Sequence, residues 1–347
     1  IQGAFMKQIS VYDLNQLEQI INEEKKNGKI WFRGHANHKY VLLPSLYRTL
    51  YATRDQFNIP ILPKKITEYN NSGDIVPIPD LLYLNSFYTK LDKLGIGYPK
   101  DYIEQICFAQ HYGVKTRLLD WTTNINVAFY FSHAGRKKNT KTAIYMLNPN
   151  EFNQYMSHMN QELYHYKFSD FKFPNAEMEK EIIQSSMIKV DGLLEPSELN
   201  AKSRLTPFAI RGPQIDQRIC RQSGNFIAFG SLIWSIEYYE NAKLKNELNF
   251  NFKTDLKCIT KILLSPKLSN QIGDFLRKKG IDERYIYYGH DTKDDISKQA
   301  EISNEQVISE SLKEWKNDYF ELKNNSPSVL IARELMANMV SKKNFRD

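Results

Sequence analysis

Residues Phe108 to Ser132 read FAQHYGVKTRLLDWTTNINVAFYFS and set polar, chemistry-bearing side chains between two strongly apolar segments. A helical pattern enters from Asp101, with Ile103, Ile106 and Cys107 on one face. Gln110 and His111 follow Ile103 by seven and eight residues and continue that face. Gly113 breaks the helix, and Lys115 to Asp120 is expected to cross as a short extended piece carrying Thr116 and Arg117. A second helix is expected to start at Thr122 or Thr123, either of which can cap it. Its body, Ile125 to Phe131, is apolar on nearly every side and predicts deep burial. The stretch therefore directs Gln110, His111, Thr116, Arg117, Asp120 and Thr122 towards the interior or into a cleft. Burying so many polar groups is costly unless each has a partner. Either they satisfy one another or a ligand does.

Upstream, Asp13 to Lys25 predicts an amphipathic helix with Leu14, Leu17, Ile20 and Ile21 as its apolar stripe, ended by Asn27-Gly28. Lys29 to Arg33 predicts a short strand, followed by Gly34, the polar loop HANHKY and then LLPSLYR. An Arg at a strand end followed by Gly suits a phosphate or carboxylate anchor, because the guanidinium fork matches such anions and Gly admits close approach. Pairing of Arg33 with a core carboxylate such as Asp120 is the alternative, and the residues leave both open. Residues 51–99 read as an insertion, rich in Pro, Asn and Tyr, with a helix expected from Pro79 to Leu94.

Downstream, a strand is expected at Thr142 to Leu147, then a mostly helical, polar region over 148–198. Its YHYKFSDFKF interleaves basic and aromatic residues as a nucleic-acid groove does, although aromatics packed inward are the commoner cause. Gln222, Gly224 and Asn225 precede a strand at Phe226 to Phe229. A strand at Ile259 to Leu264, a helix at Lys267 to Lys279 and a last strand near Tyr285 to Tyr288 follow. Two closing helices are expected, Asn304 to Lys323 and Ser328 to Val340. Strands and helices do not alternate cleanly, so the fold class is α+β with a mainly antiparallel sheet flanked by helices.

The 347 residues hold ample material for a core, and 41% hydrophobic with 25% charged residues is ordinary for a globular protein. Lys and Arg exceed Asp and Glu, 47 to 40, which permits an anionic partner without demanding one. Cys107, Cys220 and Cys258 are far apart and form no CxxC or Cys/His spacing, so no metal site is expected and a reducing cytoplasm suits the chain. No apolar run is long enough to span a bilayer and no signal-peptide layout is present, so a soluble, cytoplasmic protein without membrane partners is expected. The five residues before Met6 read as an appended remnant and are set aside. P-loop, GxGxxG, GxSxG and HExxH patterns are all missing, which removes P-loop NTPases, standard dinucleotide folds, α/β-hydrolases and common zinc proteases. A His111–Asp120 pair could orient a general base, but no activated Ser or Cys stands beside it.

Four ordered blocks carry a resemblance. WFRG (Trp31 to Gly34), LLPSLYR (Leu42 to Arg48), FAQHYG with TRLLDWT (Phe108 to Gly113, Thr116 to Thr122) and RQSGNF (Arg221 to Phe226) closely resemble the signature of the FRG domain, named for its Phe-Arg-Gly motif. The resemblance implies an FRG domain over 7–290, with inserts at 51–99 and 148–198, and a helical extension over 291–347. Such domains occur in bacteria and phages, often in toxin or phage-defence settings.

More distantly, the chain is similar to ADP-ribosyltransferases, whose first core strand ends in Arg-Gly and holds NAD. That similarity implies a split sheet, NAD as the substrate, and transfer of ADP-ribose to a nucleic acid or protein acceptor. It implies catalytic roles for Arg33, Asp120 and Gln222, and NAD contacts from Arg33, Gly34, His111, Tyr112, Thr116, Arg117, Trp121 and Thr122. Breaking the nicotinamide bond develops positive charge on the ribose, so a fixed cation for the diphosphate and an acceptor for the ribose hydroxyls and nucleophile are needed. The chain departs from the pattern in lacking a Glu-x-Glu pair. Gln222 cannot act as a base, which leaves Asp120, or Glu237 outside the motifs, to supply a carboxylate. A regulatory or antitoxin partner also belongs to this expectation. The alternative is a non-catalytic nucleic-acid- or nucleotide-binding module, and a metal-dependent nuclease ranks last.

Overall fold

In the computed structural model the described residues are 6–48, 53–55, 75–77, 80–164, 206–215, 217–230, 235–240, 257–287 and 294–325. The order is β1 (Lys7–Val11), α1 (Leu14–Lys26), β2 (Trp31–His35), α2 (Ser45–Arg48), β3 (Thr53–Asp55), β4 (Ile75–Pro77), α3 (Asp80–Lys93), α4 (Tyr102–His111), β5 (Leu118–Thr122) and α5 (Ile125–His133). Then come β6 (Thr142–Leu147), α6 (Pro149–Tyr164), β7 (Phe208–Arg211), α7 (Gln217–Gln222), β8 (Gly224–Ala228), a 3-10 turn (Ile236–Glu240), β9 (Ile259–Leu264), α8 (Pro266–Lys278), α9 (Glu283–Ile286) and α10 (Asp294–Asn325).

Seven strands form one sheet in the order β1-β9-β6-β2-β5-β8-β7, and β3 pairs with β4 apart from it. The sheet is mixed. β1 runs parallel to β9 at one edge, while the inner ladders are antiparallel. The parallel edge has a simple cause: β1 and β9 are the first and last strands of the sheet in chain order, so no hairpin fixes their relative direction. β6 is buried at all six positions, as a central strand covered on both faces should be.

Alternation on β2 and β6 divides two cores. Trp31, Tyr145 and Leu147 join a cluster with Tyr83 and Phe87 of α3, Ile106 of α4 and Phe152 of α6. Phe32, Ile144 and Met146 join Leu17 of α1, Ala128 of α5 and Ile272 of α8. α3 contributes Tyr83, Phe87 and Leu91 to the larger cluster, so it packs with the sheet rather than outside it.

Several expected boundaries move. Thr122 belongs to β5, and Asn124 caps α5 by accepting from Asn126 N at 3.0 Å. Thr122 ends β5 opposite Gly224; its hydroxyl donates to the Gln222 carbonyl at 2.5 Å and accepts from Asn124 N at 2.9 Å, so it ties down the turn before α5 and leaves the cap to Asn124. Thr116 and Arg117 precede the strand instead of lying within it. The strand expected near Tyr285 is replaced by α9, whose Asp282 side chain accepts from Tyr285 N at 2.9 Å and turns the chain into a helix. The closing helix begins ten residues before Asn304, at Asp294. The YHYKFSDFKF stretch after Tyr164 and the helix expected at 328–340 lie outside the described residues.

Candidate functional site

β2 pairs with β6 along five positions, and β5 pairs with β8 along five. Between β2 and β5 themselves the register holds at one pair, Phe32 with Thr122. Beyond that pair the two strands part, and a cleft of about 370 Å³ opens between them, within the size range of small-molecule sites. Its lining includes the charged and polar residues Arg33, His35, Arg48, Gln110, His111 and Asp120. It also includes the apolar Val127, Ala128 and Phe131 of α5, Ile219 of α7 and Phe226 of β8, with Tyr287.

Arg33 bridges the split. Its Nη1 donates to the Asp120 backbone carbonyl at 2.5 Å and lies 3.7 Å from Asp120 Oδ2. Its Nε donates to His35 Nε2 at 3.0 Å, and His35 Nδ1 faces the Tyr40 carbonyl at 3.3 Å. The Arg33 side chain is 14% exposed. Burial pushes its guanidinium down to about 10, and the Asp120 charge only partly offsets this. A cation so incompletely compensated favours an incoming anion. Arg48 stands exposed at the rim. Partial desolvation lowers its guanidinium below the usual value, against the pull of nearby Asp120.

The Asp120 carboxylate is 59% exposed and accepts from Gln110 Nε2 at 3.2 Å on both oxygens. Gln110 is itself oriented by Thr116, whose hydroxyl donates to Gln110 Oε1 at 2.6 Å. Asp120 thus engages both Gln110 and Arg33, while His111 sits edge-on to Tyr112 with ring centroids 5.0 Å apart. Gly34 lies under α5: a Cβ built on it would stand 1.9 Å from the Ala128 carbonyl oxygen and 2.6 Å from Ser132 N. The glycine is required by the helix packed on β2, which is a different reason from ligand approach.

Of the residues singled out in the sequence, Arg33, Gly34, His111, Asp120, Trp121, Thr122 and Gln222 line the cleft. Tyr112, Thr116 and Arg117 do not. Tyr112 is buried in the larger core, and Thr116 acts through Gln110. Arg117 turns away to form a buried, two-pronged pair with Asp80 of α3, at 2.8 Å and 3.0 Å. Gln222 commits its amide nitrogen to the Ile286 carbonyl at 3.0 Å, which holds α9 and Tyr287 against the cleft. Glu237 stays outside the lining. Both its oxygens accept from Leu42 N at 3.0 Å, and burial raises its carboxyl pKa. It anchors the loop that leads to Arg48.

His35, Tyr40, Arg48, Asn225 and Tyr287 line the cleft without having been singled out as site residues. For Arg48 and His35 a signal existed: Arg48 ends the LLPSLYR block and His35 follows Phe-Arg-Gly directly. Among the described residues, no group of three or more His, Cys, Asp or Glu side chains is placed to hold a metal ion, and no helix is long and apolar enough to cross a membrane.

The strand pair that frames the cleft, with the loop and helices between them, coincides with a family match. Residues 28–141 match the FRG domain. The FRG match thus takes in β2, Arg48, α4, β5 and α5, while α7, β8 and Tyr287 complete the cleft from beyond it. No curated protein and no solved structure matches the chain.

Proposed function

We propose that the FRG cleft binds NAD and transfers its ADP-ribosyl group to an acceptor. The observation that carries this reading is Arg33, a half-compensated guanidinium held in the gap between two parting strands, in a cleft lined by both charged and apolar residues. A dinucleotide has the matching halves: anionic phosphates for Arg33 and Arg48, and a flat ring for the apolar wall beside Tyr287. In the step itself the bond between ribose C1 and the nicotinamide nitrogen breaks, and its electron pair leaves with nicotinamide. A bond then forms from C1 to an acceptor oxygen or nitrogen, whose proton is lost. Asp120 is the one carboxylate among the described lining residues, so it takes the role of proton acceptor or nucleophile-positioning group.

The test is release of nicotinamide from NAD by the purified chain and by Arg33→Ala. Loss of one preorganised charge contact at a developing transition state costs about 10²–10³ in rate, so the variant should fall by that factor while keeping its circular dichroism spectrum. Absence of turnover and of any thermal shift with NAD in the wild-type chain would overturn the reading. A second reading, a nucleotide-binding module without catalysis, is favoured by the engagement of Asp120 with Gln110 and of Gln222 with Ile286. It predicts saturable NAD binding with no nicotinamide released.

A further inference from the structure

From Lys25 to Arg54, and again from Trp121 to Asn150, the sequence contains no Asp or Glu. The fold brings the tips of these two acid-free stretches together. β2 and β6 are in register from Trp31 with Leu147 to His35 with Ala143, so the turn after β2 meets the turn before β6. His38 sews them: its backbone N–H donates to the Lys141 carbonyl at 3.0 Å, and its Nδ1 lies 3.2 Å from the same oxygen. The second turn is shaped by left-handed positions at Gly135 (φ 68°) and Asn139 (φ 63°) and is tied to α8 by a hydrogen bond from Arg136 to Asn270.

The result is a fixed rim carrying Lys39, Lys137, Lys138 and Lys141, all exposed. Among the described residues, none of the four pairs with a carboxylate. The rim adjoins the cleft, because Ala36 and Tyr40 of the first turn line it and Tyr40 is 52% exposed. Unpaired like charges held side by side by backbone bonds are unfavourable alone and are relieved by a polyanion.

We infer that this lysine rim binds single-stranded nucleic acid and presents it to the cleft. Spaced lysines suit a phosphate backbone, and an exposed tyrosine at the mouth suits stacking of an unpaired base. A cleft of this size admits one base or chain end, not a duplex. That the bound strand is the ADP-ribose acceptor rests on the transferase reading above; the binding itself does not.

The experiment measures fluorescence anisotropy of labelled 12-nucleotide RNA and DNA strands, without NAD, across a salt series. The probes are titrated with the wild-type chain, with Lys39→Gln/Lys137→Gln/Lys138→Gln/Lys141→Gln, and with Lys298→Gln/Lys313→Gln on α10 as a charge control. Each lost phosphate contact lowers the salt slope by about 0.7. The rim variant should therefore lose at least tenfold in affinity at low salt and roughly 2–3 in slope, while the control changes little. Preference for RNA or DNA identifies the kind of strand. Wild-type protein that does not bind at low salt, or a rim variant that binds like wild type or like the control, would overturn the inference. Nicotinamide release by the rim variant is read separately, so a failure of the NAD reading leaves this result intact.

Discussion

His35 accepts at Nε2 the hydrogen bond that Arg33 donates from Nε, at 3.0 Å. With Nε2 accepting, the ring proton belongs on Nδ1, where the Tyr40 carbonyl receives it at 3.3 Å. The site is thus built around a neutral imidazole that steers the buried guanidinium.

A pH dependence follows from this arrangement. Burial, then the cations Arg33 and Arg48, hold the His35 imidazole well below its usual value, and Lys261 adds to them against the Tyr40 hydrogen bond. In the unfolded chain the ring titrates near its ordinary value of about 6.5. Above that value both states are neutral and His35 has no effect on stability. Below it the unfolded state takes up the proton first, so stability falls as pH drops, until the folded-state pKa is passed. Glu24 acts in a lower window. Burial alone would raise its carboxyl, but hydrogen bonds from Lys29, Lys7 and Thr260 bring it down to about 2. Its contribution is present above the ordinary carboxyl range and is lost from there down through about 2. Thermal melts from pH 8 to pH 5 should show a falling midpoint in the wild-type chain and a shallower fall in His35→Gln. Equal slopes would show that His35 is not the group responsible.

Gly34→Ala tests the second member of the motif. The added methyl would meet the Ala128 carbonyl at 1.9 Å, a distance no side-chain rotation can relieve because both partners are backbone. α5 must then move away from β2, and overpacking of this kind costs about 3 kcal/mol or somewhat more. α5 supplies Val127, Ala128 and Phe131 to the cleft, so NAD binding should weaken along with stability. Urea unfolding with an NAD titration checks both. A variant of wild-type stability would show that the close approach is not maintained in solution.

How much of this was written in the sequence depends on the range of each interaction. α1, α4, β6 and β9 carry their caps and periodicity within their own residues, and they appear where those signals place them. Arg33, Asp120 and Gln222 reach one cleft from motifs far apart in the chain. Long-range partners were not legible. Nothing near Thr122 shows that β8, a hundred residues on, draws it into β5, so the strand runs through Thr122 and the cap falls at Asn124. Likewise Gly34 is explained by a helix that arrives about ninety residues later, and the parallel edge pairs the first strand of the described sheet with its last in chain order.

Arg117 is the clearest case of a motif residue whose role the fold reassigns. It stands three residues before Asp120 yet pairs with α3 instead of lining the cleft, 3% exposed, with Nε on Asp80 Oδ2 at 2.8 Å and Nη2 on Asp80 Oδ1 at 3.0 Å. Burial alone would lower its guanidinium, and Asp80 raises it above the ordinary value, so the two charges stabilise each other. Because Asp80 opens α3, the pair pins that helix to the stretch entering β5 and sets where Asp120 emerges. Removing one partner leaves a buried, uncompensated charge, which costs about 3–5 kcal/mol. Arg117→Ala and Asp80→Ala should each lose stability of that order in urea unfolding. The double variant Arg117→Met/Asp80→Leu removes both charges and keeps the volume, so it should recover most of the loss. If it folds, its NAD affinity should match the wild-type chain, because neither residue lines the cleft. An Arg117→Ala protein with wild-type stability and lost NAD binding would instead return Arg117 to the site.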